Sequence, residues 1–257
     1  MIVKQFLYKI LGVKNYLVVV SKMFFISYSL GWLRNNKTFD CHYFVKKMVR
    51  NGDHVIDIGA NLGYYSRLFA QLVGPNGKVS SVEPVTLFRE ILKINTSGYP
   101  NTTIVPYALG TEDDKPITMG IPKSNKYLRH GLTRVLDNHE DEPFEFIFSE
   151  KMFTPATLFG KLERCDYIKC DVEGYEIHII PQLGFLLSKH HPIVQIEIEP
   201  ANRKAILDFL ADYTYSAFYL EAEHLLPVGK NPEGIYGDFF FFPENKMNLA
   251  APFLVNI

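Results

Sequence analysis

The stretch "VIDIGANLGYYS", residues 55–66, decides the fold. It holds the end of a short apolar run, "HVIDI" at 54–58, and then two glycines that flank an asparagine. A segment with helical spacing of its apolar residues, "YYSRLFAQLV" at 64–73, follows directly. The stretch is therefore predicted to lie where a first strand turns into a first helix. In an open α/β sheet, ligands bind at this edge, outside the carboxyl ends of the strands.

The same alternation of strand and helix continues along the chain and predicts a mostly parallel sheet. Each strand–helix–strand unit takes roughly 25 residues, which suits a compact right-handed crossover. Further strands are predicted at 78–82, 102–109, 166–172 and 192–199, with "YSAFYLE" and "GDFFFFP" as two closing strands. Further helices are predicted at 86–95, 175–187 and 201–213. Pro181 is expected to shorten or kink the second of these helices.

Residues 110–156 interrupt this alternation with short extended pieces among charged turns. The acidic run "NHEDE" at 138–142 is predicted to be a solvated loop. Long loops in compact domains are often functional, so this insertion is predicted to cover a substrate site. His130 within it either meets substrate from above or belongs to a surface turn. The chain is thus divided into an N-terminal segment, 1–39, and one domain, 40–257, that contains the insertion.

Composition is that of a soluble globular protein, with 257 residues, 47% hydrophobic and 21% charged. The net charge of -1 gives no indication of nucleic-acid binding. Cys41, Cys165 and Cys170 form no disulfide framework, which favours a reducing compartment and hence a cytoplasmic location. The last two lack the histidine and cysteine neighbours of a zinc site.

Residues 1–39 differ from the remainder in charge, since they carry six lysines and arginines and no acid. Within them, residues 16–33 are nearly long enough to span a bilayer, but Lys22 interrupts the apolar run. No small-residue cleavage site follows, so a signal peptide is not expected. Two interpretations stay open: helices packed on the domain, which we favour, or a basic, aromatic surface in peripheral contact with anionic lipid. The oligomeric state is not fixed by the sequence.

The loop after the first strand offers contacts to a ligand: free backbone N–H groups for a negatively charged group, and the carboxylate of Asp57 for a positively charged one. Gly59 and Gly63 lack the Cβ atoms that would keep a ligand from the backbone, and the following helix N-terminus offers free N–H groups. Dinucleotide-binding proteins carry G-x-G-x-x-G, whereas Asn61 stands here in place of the second glycine. That disfavours NAD, and Asp57 at the strand end suits a cationic amino acid better than a pyrophosphate.

Glu83, in "SVEP", ends the second predicted strand twenty residues after Gly63. An acid at this place can accept hydrogen bonds from both hydroxyls of a ribose. A strand-end acid before proline is also found in plain turns. Together with the first loop, Glu83 favours a nucleoside ligand.

A second group of acids follows the later strands. In "KCDVEGYE", Asp171 stands at a strand end and Glu173 just beyond it, while Glu197 and Glu199 share one face of the next strand. A neighbouring parallel strand would bring these acids together. They can then act as a base on an acceptor hydroxyl or hold a magnesium ion. The alternative is that Asp171 caps a helix and Glu197 pairs with a lysine.

Four motifs, "VIDIGANLGYYS", "VEP", "YALG" and "DYIKCDVEGYE", together resemble those of the FkbM-type methyltransferases, which use S-adenosylmethionine. The resemblance runs from about residue 53 to 200, and the order and spacing of the motifs make it specific. It implies a Rossmann-like class I methyltransferase fold. Such a fold has a mostly parallel, seven-stranded sheet with helices on both faces and a reversed last strand pair.

The resemblance also implies site residues. It places Asp57, Gly59, Asn61 and Gly63 around the methionine part of the cofactor, Glu83 at the ribose, and Tyr107 and Ala108 near the adenine. The full candidate cofactor site is Asp57, Gly59, Asn61, Gly63, Tyr64, Ser66, Glu83, Pro84, Tyr107, Ala108 and Asp171. The candidate catalytic residues are Asp171, Glu173 and Glu197. Where the family usually has an acid after "TL", this chain has Phe159.

The expected function is therefore S-adenosylmethionine-dependent methyl transfer to an oxygen of a sugar or glycan-like acceptor, without a nucleic-acid partner. A magnesium ion is an open addition to the site. Two alternatives stay open: an NAD-dependent oxidoreductase, and a non-catalytic protein that kept the cofactor pocket.

Overall fold

The computed structural model describes residues 2–124, 128–136, 143–229, 234–235 and 237–255. The acidic run at 138–142 lies outside the described residues. The helices in these ranges are α1 Ile2–Ser29, α2 Asp40–Met48, α3 Tyr64–Val73, α4 Thr86–Thr96, α5 Pro155–Phe159, α6 Glu176–Ile179, α7 Gly184–His190, α8 Arg203–Asp212 and α9 Met247–Ala250. The strands are β1 His54–Ile58, β2 Lys78–Val82, β3 Thr102–Val105, β4 Ala108–Leu109, β5 Lys115–Pro122, β6 Arg134–Val135, β7 Phe144–Phe153, β8 Tyr167–Cys170, β9 Ile193–Glu197, β10 Tyr215–Glu221, β11 His224–Pro227 and β12 Asp238–Pro243.

The main sheet has eight strands in the order β11-β10-β12-β9-β8-β1-β2-β3. The last five strands of this order are parallel to one another. The final strand of the chain, β12, lies antiparallel between β9 and β10, which is the expected reversed pair. The structure thus confirms a mostly parallel, Rossmann-like α/β fold. The expected count of seven strands is wrong, because β11 adds an eighth strand next to β10.

Helices cover both faces of this sheet, as the alternation of its strand residues requires. One face buries Ile56, Ile58, Ile168 and their neighbours against α7 and α8. The other face buries Val55, Val79 and their neighbours against α2 and α3. The run of four phenylalanines at 239–242 is fully buried in β12 and supplies two residues to each face, as its continuous apolar character predicts.

The insertion folds into a second sheet with the order β4-β7-β5-β6. The strand predicted at 102–109 is divided between the two sheets: β3 pairs with β2, and β4 pairs with β7. Pro106 lies at the division, where its missing N–H prevents a continuous ladder. Side chains of α1, α4 and the second sheet form a third core over the first loop.

The helix predicted at 175–187 is interrupted. Helix α6 ends at Ile179, a 3-10 turn spans Ile180–Leu183 and contains Pro181, and α7 follows. A proline inside a helix removes one backbone hydrogen bond and crowds the preceding turn, which explains the interruption.

Candidate active site

A cavity opens at the carboxyl ends of β1, β2 and β8, at the edge that the sequence predicts. Eight of the candidate cofactor residues line it: Asp57, Gly59, Asn61, Tyr64, Glu83, Pro84, Ala108 and Asp171. The candidate catalytic residue Glu173 lines it as well. Residues of the insertion close its far side: Met119, His130, Gly131, Thr133 and Val135.

Gly63, Ser66 and Tyr107 lie outside the lining. Gly63 precedes α3 in a left-handed conformation with φ 86°. Ser66 is buried on α3 behind Asp57. The ring of Tyr107 packs on Phe153, with 4.5 Å between the centroids, so Ala108 and Leu109 are the residues that reach the cavity from this segment.

Gly59 is required by the packing of two strand ends. Its φ of 79° is in the left-handed region. A Cβ atom here would overlap the carbonyl oxygen of Asp171 and would lie 2.9 Å from its carbonyl carbon. The glycine therefore brings the ends of β1 and β8 together, in addition to the expected exposure of backbone to a ligand.

Asp57 presents an unused carboxylate oxygen beside the cavity. Its side chain is 1% exposed, and the Ser66 hydroxyl donates to Oδ2 over 2.6 Å. Among the described residues, Oδ1 has no hydrogen-bond partner. Burial raises the pKa of Asp57, and the ammonium of Lys169 opposes that shift. A cationic group of a ligand would supply the missing partner.

Glu83 holds the loop after β1 in place. Its Oε2 accepts from the Asn61 N–H over 2.7 Å, and its Oε1 accepts from the Val85 N–H over 2.8 Å. Burial raises its pKa to about 7, although both backbone amides lower it. A carboxylate has about four lone-pair sites, so Glu83 keeps two for a ligand after these two bonds.

His130 lies over the same loop. Its backbone carbonyl accepts from the Asn61 side-chain amide over 3.1 Å, and its ring nitrogen Nε2 is 3.5 Å from the Tyr64 hydroxyl. Burial raises the pKa of Tyr64, which therefore stays neutral. The insertion is thus hydrogen-bonded directly to the loop after β1, which the stretch at 55–66 forms.

Lys169 is a site residue that sequence reasoning missed. It is 2% exposed, lines the cavity, and its ammonium lies 2.8 Å from Asp171 Oδ2. Burial alone would lower its pKa, but the carboxylates of Asp171, Asp57 and Asp238 together raise it. A lysine inside the apolar strand "YIKC" was an available signal, because a buried cation requires carboxylate partners.

Asp171, Glu173 and Glu197 come together as the parallel strands predict. Cys170 pairs with Ile196, so the next residues of β8 and β9, Asp171 and Glu197, lie side by side. Burial, followed by the charges of Asp171 and Glu197, raises the pKa of Glu173 to about 8. Glu197 is exposed as a whole residue. Desolvation of its carboxylate, followed by the charge of Asp171, raises its pKa to about 7. Both carboxyl groups therefore keep their protons to higher pH than ordinary glutamates.

A second cavity, of about 860 Å³, adjoins the first through shared residues. His42, Tyr65 and Asp171 line both cavities. The side chains of Tyr65 and His42 stack with 3.9 Å between ring centroids. Five carboxylates line the second cavity: Asp40, Asp171, Glu197, Glu221 and Asp238.

The family follows from comparison with known proteins. A profile of the methyltransferase FkbM domain matches residues 57–217, more than half of the chain. The chain belongs to the FkbM methyltransferase family. This family match supports methyl transfer and gives no support to the alternative of an NAD-dependent oxidoreductase.

Curated relatives of this FkbM-family protein match over short segments. A protein-L-isoaspartate O-methyltransferase of Archaeoglobus fulgidus is 39% identical over 59 residues, 22% of this chain and 27% of that protein. One of Methanococcoides burtonii is 32% identical over 89 residues, 34% of this chain and 40% of that protein. The matches therefore span well under half of the length of these relatives.

Two solved structures are similar to this chain over about three quarters of its length. The methyltransferase FkbM of Methylobacillus flagellatus has a TM-score of 0.45 at 14% identity, over 76% of this chain and 43% of that one. Aeropyrum pernix fibrillarin, in complex with natively bound S-adenosyl-L-methionine, has a TM-score of 0.46 at 12% identity, over 76% and 68%.

The donor set of this FkbM-family site offers no support for magnesium. Across the described part of the chain, no group of three histidine, cysteine, aspartate or glutamate side chains is placed to hold a metal ion. Of the acids that the sequence suggested for magnesium, Asp171 is instead paired with Lys169. Burial, and then the charges of Asp171 and Glu197, raise the pKa of Glu173.

Proposed function

We propose that this protein transfers a methyl group from S-adenosylmethionine to a hydroxyl oxygen of a sugar or glycan-like acceptor. The observation that carries the proposal is the shared wall of the two cavities. Asp171 lines both, Glu173 lines the first and Glu197 lines the second. Acids at the junction of a cofactor cavity and an acceptor cavity are placed to take a proton during the transfer.

The residues of the first cavity suit the cofactor. The free oxygen of Asp57 fits the ammonium of its methionine part, and the remaining lone pairs of Glu83 fit ribose hydroxyls. Ala108 and Leu109 offer apolar contact for the adenine. When bound, the cofactor supplies an electrophilic methyl group on a positively charged sulfur.

The second cavity suits a polyhydroxylated acceptor. Its carboxylates can accept hydrogen bonds from several hydroxyl groups, and Tyr219 offers a face for the apolar side of a sugar ring. The same carboxylates would repel phosphates, which supports the absence of a nucleic-acid partner. We also propose that the insertion, through His130, covers the first cavity from above.

Glu173 is the proposed base. A sugar hydroxyl is a weak nucleophile, so removing its proton as the new O–C bond forms should accelerate the transfer. A carboxylate with a pKa of about 8 is a stronger base than an ordinary glutamate. Glu173 also has a left-handed backbone, with φ 53°, a strain that is common at functional sites.

The test is a methyl-transfer assay with labelled S-adenosylmethionine against a panel of free sugars and glycans. Glu173→Gln should lower turnover on an accepted sugar by roughly 10²- to 10⁴-fold while binding of S-adenosylhomocysteine stays within twofold of wild type. Glu163→Gln, an exposed glutamate before β8, is the matched control and should keep full turnover. Cofactor binding without transfer to any hydroxyl acceptor would refute the proposal and favour a non-catalytic protein.

A further inference from the structure

The N-terminal helix presents an apolar stripe to solvent. Its members are Met23, Ile26, Leu30 and Trp32, which are between 55% and 72% exposed. The first three follow each other at helical spacing and so lie on one side of α1 and its continuation. Together with Ile10, they make up five of the eight large apolar side chains that are exposed in the described part of the chain.

The opposite side of α1 is fixed to the domain. Tyr16 and Leu17 are buried in the third core. The ring of Phe24 packs on that of Tyr64, with 4.5 Å between centroids, and the Tyr28 hydroxyl donates to the carbonyl of His42 over 2.8 Å. The stripe is therefore held outward on a rigid support beside the active site.

The segment that carries the stripe has charges of one sign only. Residues 1–39 carry six basic side chains and no acidic one. Lys22, next to Met23, is exposed, and so are Arg34 and Lys37 beyond Trp32. The apolar stripe and its neighbouring cations are complementary to the interface of an anionic bilayer, where apolar acyl chains lie below negatively charged headgroups.

We propose that the apolar stripe docks this protein on the surface of an anionic lipid bilayer, with the part of α1 beyond its kink at Gly12 lying along the membrane plane. The span Ile10–Ser29 is long and apolar enough to cross a membrane by length and composition, at a mean hydropathy of 1.5. A crossing would, however, strip Tyr16, Leu17 and Phe24 from the domain and place Lys22 within hydrocarbon. A second copy on the same stripe would bring two acid-free basic segments together, which their charges oppose.

The test is co-sedimentation of the full chain with vesicles of phosphatidylcholine alone and of phosphatidylcholine mixed with phosphatidylglycerol. Wild type should bind only the mixed vesicles and should be released by high salt. Ile26→Ser/Trp32→Ser should lower the partition coefficient about tenfold, because two partly inserted side chains are lost. Lys22→Gln should lower it about fivefold at low salt.

The matched control is Ile147→Ser, which removes a side chain that is 63% exposed on β7 and is not a member of the stripe. It should leave vesicle binding unchanged, and all variants should keep the wild-type melting temperature and cofactor affinity. Equal binding of wild type and the double variant would overturn the proposal. Extraction from vesicles by detergent only would show a spanning helix, and dimerisation through the stripe without vesicle binding would show a second copy; either result would also overturn it.

Discussion

Gly59→Ala tests the junction on which the site is built. The substitution carries two costs. A left-handed backbone disfavours any Cβ atom by about 1–2 kcal/mol. The new atom would also overlap the carbonyl oxygen of Asp171 and lie 3.2 Å from Val172 Cγ1, so the end of β8 must move. Such overpacking typically costs about 1–3 kcal/mol. We expect the free energy of unfolding to fall by about 2–5 kcal/mol in urea titrations followed by circular dichroism.

Gly52→Ala is the matched control. Its φ of 85° carries the same left-handed cost, but no atom of the described chain lies within 4 Å of its Cβ position. The difference between the two variants therefore isolates the contact between the ends of β1 and β8. We also expect Gly59→Ala alone to weaken binding of S-adenosylhomocysteine in calorimetry, because Asp171 is displaced. If both variants lose equal stability and bind equally well, the junction is not what requires the glycine.

Three other predictions concern charged groups of the site. Asp57→Asn should weaken S-adenosylhomocysteine binding about ten- to a hundredfold in calorimetry, because a charged hydrogen bond worth about 1.5–3 kcal/mol is lost. The control Asp212→Asn, at an exposed position, should bind S-adenosylhomocysteine as tightly as wild type. Lys169→Met should destabilise the fold by about 3 kcal/mol in urea, because it leaves the carboxylates around it without their cation; a change below 1 kcal/mol would be inconsistent with that role. Glu83 and Glu173 have pKa values raised to about 7 and about 8, so their contribution to stability is present below about pH 4.5 and is lost as pH rises through those values. Melting temperature should thus fall from pH 5 to about pH 8 while turnover rises; a turnover that falls over this range would rule out a carboxylate base.

The parallel sheet and the position of its first loop can be predicted from the sequence, because apolar runs indicate its strands, helical spacing indicates its helices and glycines indicate the loop. The eighth strand does not. The turn between β10 and β11 consists of Ala222 and Glu223, both with positive φ, in a position where Asn-Gly is the usual signal. Without that signal, the segment "HLLP" could not be distinguished from a loop.

The acids of the site were predictable as a group, because parallel strands align their carboxyl ends. Their partners were not. Glu83 was predicted to contact a ribose, but its bonds to two backbone amides depend on how the loop folds back on β2. The pairing of Lys169 with Asp171 depends in the same way on side-chain direction at one strand end. Tyr107 was predicted beside the adenine, and its packing on Phe153 depends on a strand of the insertion, β7, that the sequence did not place next to it.

Calorimetric titration of the full chain with S-adenosylhomocysteine, with NAD in parallel, tests the central claim most directly. We expect one molecule of S-adenosylhomocysteine to bind per chain and NAD to give no heat. Hydrogen exchange on the same complex should show added protection in residues 55–66 and around His130, which line the proposed cavity. Binding of NAD, or no heat with S-adenosylhomocysteine, would contradict both the cofactor and the site assigned to it.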